Sequence, residues 1–580
     1  MGAAAVPADD RGTAAPDTAP PQGPPSWRER VSAAALPVHF ASLAVAFGVL
    51  LYIDRGLWFF YDEWDFLAGS GEGGRPLNLF VPHNEHWSTI PILIYRALYA
   101  AVGLHTYIPY LVVLLLAHVA LAHVLFRVMR RLGVDAWIAT AAAVVFLFLG
   151  AGAEDLTWAF QMAWILTLLL GVAGLLLIDH DGPGIGRDLV YWPVAVLALM
   201  CSGIAVPLVA VAGLIALLER GWVAALRVVS VPAVVYVVWF ALAGHAGYSV
   251  THPTRAELLQ LPQYVWTGLT TAVANTLGWS GSGAIVVLAL SVFVALQGPV
   301  AWRRCAVGVA MAMGAVLFFA ITGVGRIALG IDESTDSRYA YVAIALLLPA
   351  AVWALSALAG RVHGGRVIAV ALCAIVAING IGVLTAYAEG SATLRDTDRY
   401  QLLAAAHLIV GGAPLLAGDQ AEPDPAIAPQ LTLGELRSMI RDGAVPLDTP
   451  VPPDAVLGAA LQLQVAVGET APTGPGGNAT IAGSEGLSLA PAGSCISVTS
   501  YSDSAVLRID FPTPGWLALT PDENGTLGIS LARTGDPGVV TAPRDWTVVA
   551  GRAAYVELAV GGMTPGFSLP PGVSLLCGTT

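Results

Sequence analysis

Long apolar runs recur between residues 37 and 386, and they leave this chain few folds to choose from. A run of about 20 apolar residues crosses a bilayer as a helix, because lipid offers no partner to an unpaired backbone group. Such runs lie near 37–53, 107–126, 134–151, 160–178, 189–203, 204–219, 228–244, 282–297, 306–323, 340–359 and 367–386. They predict a polytopic α-helical membrane protein with about eleven spans. The fifth and sixth runs are short and share a break at CSGIAVP (201–207). Only 12% of the 580 residues are charged, against roughly 25% in soluble chains. Every basic residue is Arg, and with the Ala, Gly and Val bias this suggests a GC-rich bacterial genome. The net charge of -13 argues against a nucleic-acid partner, since phosphate binding needs a basic surface.

Charge gives the runs an orientation. With a cytoplasmic N-terminus, the inside ends carry Arg28 and Arg30, then Arg127, Arg130 and Arg131, then Arg187, Arg220 and Arg227, then Arg303 and Arg304, then Arg361 and Arg366. This follows the positive-inside rule. Merging the fifth and sixth runs would put Arg303 and Arg304 outside, so they count as two. Residues 88–104 carry Arg96 at their centre and read as an amphipathic helix in the outer interface. LWFFY (57–61) reads as interfacial too. An odd number of spans places the C-terminus outside the cytoplasm of a multi-pass plasma-membrane protein.

The predicted domains are a disordered cytoplasmic tail (1–35), a transmembrane domain (36–387) with an outside loop at 54–106, a linker and helical region (388–493), and a β-sandwich-like domain (494–580). The tail is rich in Ala, Pro and Asp, and its first apolar run comes too late for a signal peptide. Its counterpart at the other end alternates: CISVTSY, AVLRIDF, GWLALT, LGISLA and YVELAV are short strands broken by Gly, Pro, Asn and Asp. Cys495 and Cys577 bracket this block, and an outside location favours a disulfide between them. Cys201, Cys305 and Cys373 sit in or beside spans as packing residues. The β-domain binds carbohydrate or serves as a spacer.

The scarce charge collects on the outside. YDEWDF (61–66) and HNEHWS (83–88) supply Asp62, Glu63, Asp65, His83, Glu85 and His86. GAGAEDLTW supplies Glu154 and Asp155, and GRIALGIDESTDSRYAY (325–341) supplies Arg326, Asp332, Glu333, Asp336 and Arg338. Carboxylates can act as bases or metal ligands. Guanidinium suits phosphate, because its planar fork donates two parallel hydrogen bonds. Together they suggest chemistry on a lipid phosphate. A simpler reading stays open: acids collect outside because Arg is kept inside, and Arg326 and Arg338 snorkel or pair with them.

This layout resembles the GT-C superfamily of integral-membrane glycosyltransferases, over about residues 37–386. The likeness rests on an acidic motif after the first span (YDEWDF), an interfacial helix beginning near a His (HNEHWSTIP), a second span ending in Arg (FRVMRR), an acidic motif after the third span (GAEDLTW) and the break around SGIAVP. HNEH stands where many relatives carry a doubled proline. The resemblance implies an inverting hexosyl or pentosyl transferase. Its donor would be a polyprenyl-phosphate sugar in the membrane lipid, and its acceptor a cell-envelope glycan, lipid or protein. Asp62, with Glu63 beside it, would be the catalytic carboxylate that takes the acceptor's proton. Arg326 and Arg338 would hold the donor phosphate, with Tyr339 as a hydrogen-bond donor. His83, Glu85, His86, Glu154 and Asp155 would form an acceptor or metal shell. No cofactor is required by the sequence. Some members of the superfamily use a divalent metal such as Mg or Mn, and Asp62, His86, Glu154 and Asp155 are the residues to hold one. His83 and His86 stand three apart and would share a helix face. The alternatives are a lipid-linked glycan transporter, which calls for polar groups at mid-membrane depth, and a non-catalytic cell-envelope assembly protein.

Overall fold

The computed structural model describes residues 27–578 except 69, 72–74, 77–78, 181, 183, 246–251, 474–475, 477 and 503. Most of the expected tail (1–26) lies outside the described residues, but 27–35 do not belong to it: helix already begins at Trp27. In chain order the helices are α1 (Trp27–Asp54), α2 (Glu63–Ala68), α3 (Thr89–Val102), α4 (Ile108–Arg131), α5 (Ala136–Leu147), α6 (Ala153–Thr157), α7 (Met162–Ile178), α8 (Ile185–Leu199) and α9 (Ala205–Arg220). There follow α10 (Trp222–Trp239), α11 (Arg255–Leu258), α12 (Leu261–Leu277), α13 (Ser282–Arg304), α14 (Ala306–Arg326), α15 (Ser337–Ala359), α16 (Gly365–Val410), α17 (Leu433–Arg441) and α18 (Pro453–Gln464).

Among the described residues nine helices are long and apolar enough to cross a membrane. Large apolar side chains point outward along them, such as Leu242, Leu296 and Val367. That is stable only against lipid. The fifth and sixth expected spans are separate helices, α8 and α9, of 15 and 16 residues. The break between them is anchored by the Ile90 N–H, which donates to the Met200 carbonyl at 3.1 Å. α3 has 14 residues and buries one face through Thr89, Ile92 and Tyr95. One helix was missed: α12, with 17 residues, lies between the expected spans at 228–244 and 282–297. Its ends touch α14, where Leu261 and Tyr264 meet Gly323, and α16, where Gly278 meets Asn379.

The two ends of the bundle differ in charge. At one end Asp188, fully buried, accepts from Arg220 at 2.9 Å and from Arg227 at 2.7 Å. Arg131 pairs with Asp179 and Arg366 with Asp135, each at 2.9 Å. At the other end stand α2, α6 and the turn between α14 and α15.

The expected linker and helical region contains the helices α17 and α18, and from 388 to 410 it continues α16. α16 runs unbroken for 46 residues, about 70 Å at the helical rise, so it extends well past its apolar part. α17, α18 and the connecting segments then fold back on the bundle. Leu431, Leu433, Leu436, Met439 and Leu463 join the same hydrophobic core as α3 and α4. The Leu104 N–H donates to the Ala444 carbonyl at 2.8 Å. A capping box at Thr432 and Glu435 starts α17.

The β-domain begins at Val465, earlier than the expected 494. One sheet orders the strands Asp536–Val540, Gly525–Arg533, Met563–Ser568, Val506–Asp510 and Thr480–Glu485, with Arg544–Val548 also on Gly525–Arg533. The other orders Val465–Gly468, Ala554–Leu558, Gly515–Pro521, Gly572–Cys577, Cys495–Ser500 and Leu487–Ala492. Strict alternation in Gly515–Pro521 turns Leu517 and Leu519 into the core. Cys495 and Cys577 face each other in register and are bonded, Cα to Cα 4.4 Å. Cys201, Cys305 and Cys373 are free.

Candidate functional site

The first acidic motif is built outward from aromatic packing. Phe59 is fully buried against Tyr107 and Tyr110. Tyr61 then turns the chain with φ 50°, and its N–H donates to the Ile427 carbonyl at 3.0 Å. α2 follows. Its first residue, Glu63, accepts from the Phe60 N–H at 2.7 Å, from the Tyr95 hydroxyl at 2.5 Å and from the Tyr107 hydroxyl at 2.8 Å. Burial pushes its carboxyl up to about 7 despite these donors and the nearby Arg395. Glu63 thus faces inward. It braces the motif against α3 and α4 and cannot meet a substrate.

Asp62 faces the other way, half-buried at the cleft. It accepts from Asn84 Nδ2 at 2.9 Å. Burial pushes its carboxyl up to about 6, while the Arg338 guanidinium and the Asn84 amide hold it back.

HNEH is a tight turn and not a helix, so His83 and His86 do not share a helix face. The His83 N–H donates to the His86 carbonyl at 2.9 Å, and the return bond is 2.8 Å. Asn84 and Glu85 occupy the centre with φ 43° and 72°. Two positive values make it a type I′ turn. Among the described residues, the three non-glycine residues with positive φ are Tyr61, Asn84 and Glu85. Each such conformation costs about 1–3 kcal/mol, and strain of this kind gathers at working sites. Here it aims Asn84 at Asp62 and Glu85 at Arg326, whose Nη2 lies 3.4 Å from Glu85 Oε2.

His83 lies behind the turn. Its Nδ1 is 3.2 Å from Asp65 Oδ2, and its Nε2 is 3.2 Å from Asn84 Nδ2. Burial lowers its pKa to about 4, so the ring is neutral. The Nδ1–H donates to Asp65, which leaves Nε2 to accept from Asn84. A chain results: Asp65 orients His83, His83 orients Asn84, and Asn84 holds Asp62. His86 is also neutral, lowered to about 3 by burial and then by the Arg326 charge. Its ring lies over Gly203 in the α8–α9 break, where a Cβ would come within 3.0 Å of Nδ1.

The opposite wall is the turn before α15. Arg338 Nη2 donates to Asp336 at 2.9 Å and to Glu333 at 3.4 Å, and Nη1 stands 4.0 Å from Glu154. Its Nε is buried, with no hydrogen-bond partner among the described residues. Glu154 is joined to this wall, since its N–H donates to Ser337 Oγ at 3.2 Å. Tyr339 stacks on Trp164 with ring centroids 5.9 Å apart. Asp155 is fully buried, and neither of its oxygens has a partner.

Asp62, Glu85, His86, Glu154, Arg326, Arg338 and Tyr339 are therefore drawn into one cluster, linked by ion pairs and by the fields of the two arginines. Glu63, His83 and Asp155 lie behind it. Among the described residues no group of three His, Cys, Asp or Glu side chains is placed to hold a metal. Sequence reasoning missed Asn84, which lay inside the quoted HNEH, and Arg395. The Arg395 Nη1 donates to the carbonyls of Trp58 at 3.4 Å and Thr157 at 3.0 Å, tying the two acidic motifs together. Nothing local marks it, because the partners lie more than 200 residues away.

An open-sided apolar cavity of about 540 Å³ lies among α5 and α12 to α16. On α15 its lining begins at Ile344, about 9 Å down the helix from Arg338. No known family, curated protein or solved structure matches this chain.

Proposed function

We propose that this protein is an inverting GT-C-type glycosyltransferase of the plasma membrane. It moves a sugar from a polyprenyl-phosphate donor to a cell-envelope glycan, lipid or protein acceptor on the extracytoplasmic face. One observation carries the reading: Asp62, its pKa raised to about 6, lies in the field of the Arg338 guanidinium, and an apolar cavity lines α15 from Ile344 onward. At neutral pH Asp62 is ionised and can accept a proton from the acceptor hydroxyl. That oxygen attacks the anomeric carbon as the bond to the phosphate oxygen breaks. The phosphate departs with the electron pair, and Arg338 and Arg326 stabilise its growing charge. The lipid chain would lie in the cavity among α12 to α16.

The transporter alternative draws on polar contacts within the candidate spans, such as the contact of 2.7 Å between His118 Nδ1 and the Tyr341 hydroxyl. Both residues are fully buried among packed helices, which suits a structural bond better than a path. The test is transfer of labelled sugar from polyprenyl-phosphate donors in membranes holding wild type, Asp62→Asn or Arg338→Ala. Transfer by wild type alone supports the assignment. Transfer that survives both changes removes these residues from the site, and no transfer with any donor favours the transport or assembly reading.

A further inference from the structure

A second cavity, of about 570 Å³, opens between α4, α7 and the start of α8. It lies at the Arg131 end of α4, and the Asp62 cleft lies at the other. The 24 residues of α4 put about 35 Å between them. One wall is aliphatic, with Val124, Leu176 and Leu177. The rim carries Arg127, Arg131 and Arg187 against a single carboxylate, Asp179. Asp179 accepts from Arg131 Nε at 2.9 Å. Arg127 and Arg187 are exposed, and neither has an ion-pair partner among the described residues.

The positive-inside bias asks only for arginines in water at this end. It does not ask for a crevice with a greasy wall beneath them. A guanidinium rim over an aliphatic wall suits an amphiphile whose head is a phosphate. Basic pockets between spans on the cytoplasmic side take acidic lipid head groups in this way. We propose that the cavity binds an anionic phospholipid from the leaflet at the arginine-rich end. Arg127 and Arg187 hold the phosphate, Arg131 closes the rim from its bond to Asp179, and an acyl chain runs along Val124 and Leu177. The lipid thereby fastens α8 to α4 and α7 at the end remote from the cleft. This site rests on the membrane reading of the fold and is independent of the transferase reading.

The experiment is native mass spectrometry of the full chain, purified in mild detergent with equal amounts of phosphatidylglycerol and phosphatidylcholine. Wild type should keep phosphatidylglycerol in preference. The Arg127→Gln/Arg187→Gln protein should keep about tenfold less, or lower still. Arg303→Gln/Arg304→Gln, at the same end but outside the cavity, should match wild type. Equal retention of the two lipids overturns the proposal, as does equal loss in the control variant. Displacement by inorganic phosphate would assign the site to a free anion and overturn the lipid. Should the first variant not fold, wild type is crosslinked to a photoactivatable phosphatidylglycerol. Label confined to α4, α7 and α8 supports the site, and label elsewhere overturns it.

Discussion

Glu63 offers a sharp test of the site's construction, because its charge is set by burial. Its carboxyl stands at about 7 in the folded protein and at 4.5 when free. The native state therefore holds the proton more tightly than the unfolded chain. Stability from this group is fully present below 4.5 and is lost as pH rises through about 7. The gap converts to about 3 kcal/mol at roughly 1.4 kcal/mol per pH unit. Glu63→Gln removes the titration and keeps the shape. Its carbonyl can accept from the Phe60 N–H, and its amide can donate to the oxygens of Tyr95 and Tyr107, since a hydroxyl serves as donor or acceptor. The measurement is the midpoint of thermal unfolding in detergent for wild type and variant, followed from acid to neutral pH. Wild type should lose stability across this window, and the variant should lose less by the amount above. Equal pH slopes in the two proteins would refute the reasoning and mean that Glu63 is ionised or solvated in the fold.

Asp62→Asn should cut transfer by about 10²–10⁴-fold, the usual worth of a general base, with the unfolding midpoint unchanged. In wild type the acid limb of kcat/KM should fall near pH 6, where Asp62 gains its proton; Asn84→Ala removes a bond that favours the carboxylate, so its limb should move to higher pH. Arg395→Ala removes the donor to two carbonyls, which should lower stability by about 2–5 kcal/mol, read from the shift in unfolding midpoint. Replacing Cys495 and Cys577 by Ala opens a loop spanning 82 residues and should destabilise the β-domain by about 2–5 kcal/mol, read by denaturant unfolding.

The long apolar helices were legible because an apolar helix of this length is a local property: composition over one window decides it. The same holds for the alternating strands and for the paired cysteines that bracket them. α12 escaped because its apolar face is interrupted by Gln263, Thr267, Thr270 and Asn275, and its packing across α14 to α16 is what makes it a helix. The start of the β-domain was placed late because Val465–Gly468 is a four-residue strand whose partner, Ala554–Leu558, comes far later in the chain. In residues 388–464 the short helical pattern at 433–443 was legible, but the length of α16 and the packing of α17 and α18 on it were not, because they depend on contacts between segments.

At the cleft the residue types were readable and their roles were not. YDEWDF announces charge, yet only distant hydroxyls from Tyr95 and Tyr107 turn Glu63 inward and leave Asp62 facing out. HNEH shows two histidines at helical spacing, yet its backbone closes a tight turn that makes Asn84 the group in contact with Asp62. Composition and periodicity settle which segments enter the membrane, since the solvent acts on each segment separately. Which carboxylate is a brace and which meets the cleft depends on burial and on partners from other segments, and those exist only once the helices have packed.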